Sequence, residues 1–257
     1  MIDLHSHLIW DIDDGSKSKE MTINMLRQAV RSGTRKLVLT PHYLPGYYIE
    51  PISVVKERVK EMEALIKTES INLEVYSGQE VYFTTNILEN LNEGFIGTIN
   101  NSKYMLIEFN MKNFSVKEVA ETLYELQLKG IIPVIAHPER YHIFIKNPSL
   151  INEFIKEGYL FQLNSGSLTG DFGKDVKKLA ETYVKNKIYS FIGSDAHRDE
   201  KRNPDMSKGI ELLENMDKEY FKYIKNSSEK LLGNKDIEFI GSLLKEKKGL
   251  FSLFGKK

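Results

Sequence analysis

Short apolar runs alternate with amphipathic stretches along this chain, and polar residues gather where each apolar run stops. The β-like runs cover residues 2–7, 36–40, 73–77, 104–109, 131–136, 159–163 and 188–192. Each is short, rich in β-branched or aromatic residues and bounded by turn formers. Between them, apolar positions recur at helical spacing. In 19–32, Met21, Met25, Leu26, Ala29 and Val30 share a face, and Gly33 supplies a stop. The same pattern predicts helices over 51–67, with proline at the start, and over 86–93, 116–129, 149–157 and 175–186. From Pro204 onward the chain reads as helical and charged. Strands that alternate with helices imply a parallel sheet. Seven such strands fit an α/β fold, most economically a distorted seven-stranded (β/α) barrel, with a doubly wound open sheet as the alternative. Barrel enzymes carry their chemistry at the C-terminal ends of the strands.

Those ends hold an unusual set of side chains. The first run closes on His5-Ser6-His7, with Asp13 and Asp14 just beyond. Residues two apart on a strand share a face, so the two imidazoles aim at one point. The second run leads to His42, the third to Glu80, the fourth to Glu108, the fifth to His137 and the seventh to Asp195-Ala196-His197. Five of the six histidines in the chain therefore stand at strand ends. Taken singly, each is equally a loop histidine, a solvated glutamate or an Asp-Gly turn. Taken together, they put metal-ligand chemistry at one rim. Glu108 follows Met105-Leu106-Ile107, and a buried carboxylate has to be paired, protonated or metal-bound.

Composition narrows the chemistry. The 257 residues contain no cysteine, which removes disulfides, thiolate metal sites and thiol nucleophiles. Any metal is then held by nitrogen and oxygen. Lys plus Arg and Asp plus Glu each number 36, giving zero formal charge and no basic stripe for nucleic acid. No apolar run approaches the roughly 20 residues of a membrane span. Asp3, His5 and His7 interrupt any leader-like apolar segment, so a cytoplasmic location is expected. Leu250, Phe251, Leu253 and Phe254 in the basic stretch 245–257 read as a packed or frayed end rather than a membrane anchor. The ligand set exceeds the four that one tetrahedral ion takes, which argues for two or three neighbouring ions. Imidazole with carboxylate suits manganese, iron or zinc.

His5-Ser6-His7, Asp14, His42, Glu80, Glu108, His137 and Asp195-Ala196-His197 resemble the motifs of the polymerase-and-histidinol-phosphatase (PHP) metal-dependent phosphoesterases. Asp-Leu-His-Ser-His-Leu, Asp-Asp-Gly-Ser-Lys-Ser, Thr-Pro-His-Tyr, Ala-His-Pro-Glu-Arg-Tyr and Gly-Ser-Asp-Ala-His are similar to the capsule and exopolysaccharide branch of bacterial protein-tyrosine phosphatases (CpsB/YwqE-like). The resemblance implies one PHP phosphoesterase domain over 1–257, a distorted seven-stranded barrel and a trinuclear centre, commonly manganese, with iron, zinc, cobalt or magnesium as alternatives. It implies His5, His7, Glu80 and Asp195 on one ion. Glu80, Glu108 and His137 fall on a second, and Asp14, His42 and His197 on a third. Spacing alone leaves Asp13 and Asp14 equivalent. Arg140 and Arg202 match arginines that grip the phosphate. The implied substrate is phosphotyrosine on an autophosphorylating bacterial tyrosine kinase; a homo-oligomer is compatible.

A phosphate monoester dianion needs charge neutralisation more than covalent chemistry. The expected reaction is in-line attack by a metal-bridging hydroxide. Residues 43–48, with three tyrosines, could line the mouth or simply pack locally. Two other readings remain: a small-molecule phosphatase such as histidinol phosphatase, and a non-catalytic metal-binding regulator of a kinase.

Overall fold

The computed structural model describes residues 1–246. Its strands are β1 (Ile2–Asp3), β2 (Lys36–Leu39), β3 (His42–Tyr43), β4 (Glu74–Ser77), β5 (Glu80–Tyr82), β6 (Tyr104–Glu108), β7 (Ile132–Ala136), β8 (Leu160–Asn164) and β9 (Phe191–Gly193). Helices α1 (Lys19–Arg31), α2 (Ile52–Thr68), α3 (Ile87–Asn92), α4 (Val116–Leu128), α5 (His142–Lys146), α6 (Ile151–Lys156), α7 (Ser165–Thr169), α8 (Lys174–Lys185), α9 (Ser207–Met216) and α10 (Lys218–Leu232) lie between and after them. The strands form a curled parallel α/β arrangement of two sheets, ordered β1-β2-β4 and β3-β5-β6-β7-β8-β9.

The count differs from seven for a local reason. Two of the expected strands resume after a break, as β3 beyond β2 and β5 beyond β4. Pro41 has no N–H to offer a ladder, so pairing stops at Thr40-Pro41. At the same level a side chain on Gly78 would lie 3.1 Å from Thr40 Cγ2 and 3.2 Å from Val38 Cγ1, so glycine lets the two strands approach as they bend. The first expected strand is also shorter, since only Ile2–Asp3 is regular strand. Beyond it the chain still pairs with the last strand. Leu4 N donates to Ile192 O at 3.2 Å, Asp195 N to His5 O at 2.8 Å and His7 N to Ala196 O at 2.9 Å.

Period two along the strands explains both core and rim. Tyr104, Leu106, Val134, Ala136, Leu160 and Phe191 turn to one side and form an apolar interior cluster with Leu4 and Val38. Two or four residues further on, the same columns carry Glu108 on β6, Gln162 and Asn164 on β8, and Asp195 after β9. The other faces of the strands pack under the helices. Met25 and Leu26 of α1 join Val55, Val59 and Met62 of α2 there. Val119, Leu123 and Leu126 of α4 meet Phe154, Phe161 and Ile135 in the largest cluster.

Caps set the helix starts. The Ser18 side chain accepts from Met21 N, and Ser115 accepts from Glu118 N. Asp217 caps α10 by accepting from Tyr220 N at 2.9 Å, and this bond with Lys187 nearby holds its carboxyl below the usual range. Its stabilisation is therefore present above the unfolded pKa and lost as pH falls through the folded one. Asp217→Ala should cost about 1 kcal/mol at neutral pH, and the wild-type advantage should shrink in acid. Denaturant melts at two pH values check this.

Two short helices, α5 and α7, were not expected, because five residues give no periodicity to read. Past α10 the described chain carries no helix, where a continuing one was expected. The apolar patch at Leu250 to Phe254 lies outside the described residues.

Candidate metal centre

The rim residues predicted from sequence converge. His5 Nε2 lies 3.1 Å from Glu80 Oε2 and 3.7 Å from Asp195 Oδ1. His7 Nε2 lies 3.2 Å and 3.5 Å from the same two oxygens. His137 Nε2 sits 2.9 Å from Glu80 Oε1 and 3.7 Å from Glu108 Oε1. His42 Nε2 and His197 Nε2 stand 3.5 and 3.4 Å from Asp14 Oδ1. Ligand atoms fall into three groups small enough for one ion each: His5, His7, Glu80 and Asp195; His42, Glu80 and Glu108; and His7, Asp14, His42 and His197. His42 Nδ1, 3.1 Å from Glu80 Oε2, thus reaches the second group as well as the third. Glu80 is buried rather than solvated, at 1% exposure.

Asp13 and Asp14 separate in three dimensions. Asp13 is buried and accepts from His7 Nδ1 at 2.7 Å, Gly15 N at 2.8 Å and His42 N at 3.0 Å. It therefore stands behind His7, turning Nε2 inward, while Asp14 presents Oδ1 to the centre. A side chain on Gly15 would meet His7 O at 2.2 Å, so this Asp-Asp-Gly turn needs glycine. Three imidazoles are fixed the same way at Nδ1, by Asp13 for His7, by Gln162 Oε1 for His5 and by the Asp195 carbonyl for His197. That leaves each Nε2 facing inward, the usual arrangement behind metal-ligating histidines.

Burial and charge pull against each other here. Burial pushes the Glu80 carboxyl up, but His5, His42 and a hydrogen bond from His137 outweigh it and hold it well below its usual range. Burial likewise opposes, and His5, Arg140 and Arg202 enforce, a low value for Asp195. Glu108 is driven well up by burial and by the Glu80 and Asp195 carboxylates. Asp14 Oδ1 and His42 Nδ1 are buried without a hydrogen-bond partner. Orphaned inward atoms, carboxylate oxygens within 4.8 Å of one another and an all-nitrogen-and-oxygen donor set are what clustered divalent cations satisfy.

Burial and the neighbouring Arg140 lower His137 to about 4. An unfolded histidine binds its proton near 6.5, so between 6.5 and about 4 the unfolded state holds more protons and stability falls with falling pH. Chelator-treated wild type should lose on the order of 3 kcal/mol more across that window than His137→Asn. Chemical denaturation at several pH values measures the difference.

Arg140 Nη1 and Arg202 Nη2 reach Asp195 from two sides, at 2.6 and 2.7 Å. The Phe172 ring lies 4.5 Å from the Arg140 guanidinium carbon. His137, Asp195 and Arg202 all have left-handed backbone (φ 31, 53 and 50°), a local cost that functional turns commonly carry. Tyr48 stacks on His42 at 6.0 Å, so this part of the 43–48 loop adjoins the centre.

Several site residues were not read from sequence. Gln162 and Asn164 bond His5 and Asp195, and Glu139, fully buried, accepts from Asn164 N, Ser167 Oγ and Tyr189 OH. Glu139 thereby anchors the His137–Arg140 turn to β8. Arg198 clamps the carbonyls of Asp14, Gly15 and His197. The two-residue spacing of Gln162 and Asn164 at a strand end was the available signal for that pair.

Fold and rim together define a parallel-stranded α/β protein with a multi-ligand histidine–carboxylate centre at the C-terminal ends of its strands. The family model described as capsular polysaccharide synthesis, CpsB/CapC, matches residues 1–240, and the chain belongs to that family. It is 38% identical over 215 residues to tyrosine-protein phosphatase YwqE of Bacillus subtilis (strain 168), covering 83% of this chain and 84% of the relative. Over 197 residues, 77% of each chain, it is 38% identical to the putative tyrosine-protein phosphatase CapC of Staphylococcus aureus. A solved structure from work on YwqE of Bacillus subtilis and CpsB of Streptococcus pneumoniae, described as unique metal-dependent tyrosine phosphatases, superposes with a TM-score of 0.90. That pair is 35% identical and covers 96% of this chain and 100% of the other. Histidinol phosphate phosphatase from Lactococcus lactis, solved with zinc, L-histidinol and phosphate, shares the fold at a TM-score of 0.55 and 13% identity, over 84% of this chain and 93% of that one.

Proposed function

We propose that this chain is a metal-dependent protein-tyrosine phosphatase acting on a tyrosine-phosphorylated bacterial tyrosine kinase of capsule or exopolysaccharide synthesis. The observation that carries the reading is the convergence of five histidines on the Glu80 and Asp195 carboxylates, with Glu108, Asp14 and Arg140 beside them. Membership of the CpsB/CapC family supports it.

His5, His7, Glu80 and Asp195 would hold one ion. Glu80, Glu108 and His137, helped by His42, would hold a second; Asp14, His42 and His197 would hold a third. The mixed nitrogen and oxygen set suits manganese, iron or zinc, and manganese is the ion that the likeness to this family favours. Divalent ions bound by these residues would supply charge neutralisation for a phosphate dianion and would acidify water for attack. The rest falls to the chain. Arg140 spends one nitrogen on Asp195 and keeps further N–H donors for phosphate oxygens. Phe172 against its face fixes the guanidinium plane. Arg202, more exposed, approaches from the other side of Asp195. His137 is neutral at neutral pH, so its Nε2 keeps a lone pair or a single proton toward Glu80. A tyrosyl leaving group has a pKa near 10, roughly, and departs with little protonation.

We assign the activity to a single domain and infer a seven-position ring of strands, with β2 and β3 counted as one position and β4 and β5 as another. Among the described residues no helix is long and apolar enough to cross a membrane; the proposed location is the cytoplasm.

Phosphate release from a tyrosine-phosphorylated peptide, a phosphoserine peptide and histidinol phosphate, each with manganese and with chelator, tests the proposal. Turnover of the first in manganese alone is expected. No turnover of any substrate removes the enzymatic reading, and preference for histidinol phosphate removes the tyrosine assignment.

A further inference from the structure

Two buried amides on β8 link the side chains of His5 and Asp195. His5 Nδ1 lies 2.9 Å from Gln162 Oε1, Gln162 Nε2 donates to Asn164 Oδ1 at 2.9 Å, and Asn164 Nδ2 donates to Asp195 Oδ2 at 2.8 Å. All four residues are buried. We propose that Gln162 and Asn164 form a polar relay in which the Asp195 carboxylate sets the tautomer of His5. They are positioning residues, acting through His5 and Asp195, and this rests on the reading of those two as metal ligands.

The direction of the relay follows from what each group can do. Asp195 faces two arginines and only accepts. Asn164 must therefore turn its NH₂ to Asp195 and its carbonyl oxygen to Gln162. Gln162 must then turn its own NH₂ to Asn164, where the Leu163 carbonyl also accepts from it at 2.6 Å. Its oxygen is left to face His5, and also the His137 backbone N–H at 3.4 Å, which only donates. Both ends thus demand the same amide orientation. His5 Nδ1 consequently carries the proton, and the Nε2 lone pair points at Glu80, His7 and Asp195. A side chain on Gly193 would meet His5 Cβ at 2.6 Å and Gln162 Nε2 at 3.0 Å, so both relay groups pack directly on this glycine.

His7 has a carboxylate, Asp13, behind Nδ1. His5 has instead a neutral amide whose polarity is inherited from a carboxylate two bonds further along. This arrangement orients His5 without adding a second negative charge beside a site already crowded with them. It also makes the His5 and Asp195 ligands depend on one another, because any change that turns Asn164 also turns Gln162.

The test is manganese binding by the full chain, followed by calorimetry, with circular dichroism and thermal melts of the metal-free proteins. Gln162→Leu and Asn164→Leu are each expected to weaken the tightest manganese site by about 10- to 100-fold. The double variant should be no weaker than the worse single one, because the groups act in one line. Gln162→Glu keeps an acceptor for His5 but turns an oxygen on Asn164 Oδ1, and should weaken binding as Gln162→Leu does. Wild-type affinity in Gln162→Glu overturns the relay, and so do losses that add in the double variant. Unchanged affinity in both leucine variants overturns it too. A wild-type chain that takes up no manganese overturns the metal-centre reading itself, an outcome separate from any pattern among the variants. Phosphate release is not measured, so loss of the tyrosine assignment alone leaves the relay standing.

Discussion

Asp195→Ala is expected to lower phosphotyrosine hydrolysis by on the order of 10³-fold and to strip bound metal, while the far-ultraviolet circular dichroism stays that of the wild type. Asp195 faces His5, His7, His197, Arg140 and Arg202 together. Its removal takes a ligand oxygen from the centre and releases both arginines. It also leaves the largely buried Arg140 guanidinium without its hydrogen-bonded carboxylate, which a low-dielectric site tolerates poorly. Activity and stability of the metal-free protein should therefore fall together. Asp195→Asn keeps the shape but not the charge, and should lose nearly as much activity. Phosphate release with metal analysis of the purified variants measures both effects. A near-normal rate for either variant, with metal retained, would remove Asp195 from the centre.

Arg140→Ala should lower kcat/KM by about 10²- to 10³-fold with metal content unchanged. The guanidinium is held by Asp195 on one edge and Phe172 on one face, so it is placed before substrate arrives. A bidentate grip on phosphate needs that planar fork, and Arg140→Lys should recover little of the loss. Arg202→Ala should cost less, because its side chain is 36% exposed against 18% for Arg140 and solvent screens its charge. Loss of metal from Arg140→Ala would instead mean that the arginine holds Asp195 in place rather than substrate. Steady-state kinetics and metal analysis on the same preparations distinguish the two.

The chain made much of this legible before folding was considered. The strand ends His5-Ser6-His7, Glu80, Glu108, His137 and Asp195-Ala196-His197 are marked by polar residues stopping apolar runs, and period two guarantees that paired ligands share a face. Helix starts at α1 and α4 follow from local caps at Ser18 and Ser115, and Gly33 follows α1 with φ of 95°. Interactions of this kind span a few residues and leave a trace in the sequence. The breaks after β2 and β4 were less visible. Pro41 shows in the sequence, but the close packing of Gly78 on Thr40 and Val38 exists only once two strands lie side by side.

What the sequence by itself determined is the identity of the chemistry: nitrogen and oxygen donors without thiols, placed at the ends of parallel strands. What only the tertiary structure decided is which donor faces which. Asp13 and Asp14 are adjacent in the chain, yet one stands behind His7 and the other turns to His42 and His197. Gln162 and Asn164 look like ordinary polar residues until β8 sets them against His5 and Asp195, 157 and 31 residues away. The physical reason is range. Periodicity and capping are set by neighbours along the backbone, whereas a ligand's partner, tautomer and charge are set by whichever groups the curled sheets bring within about 3 Å.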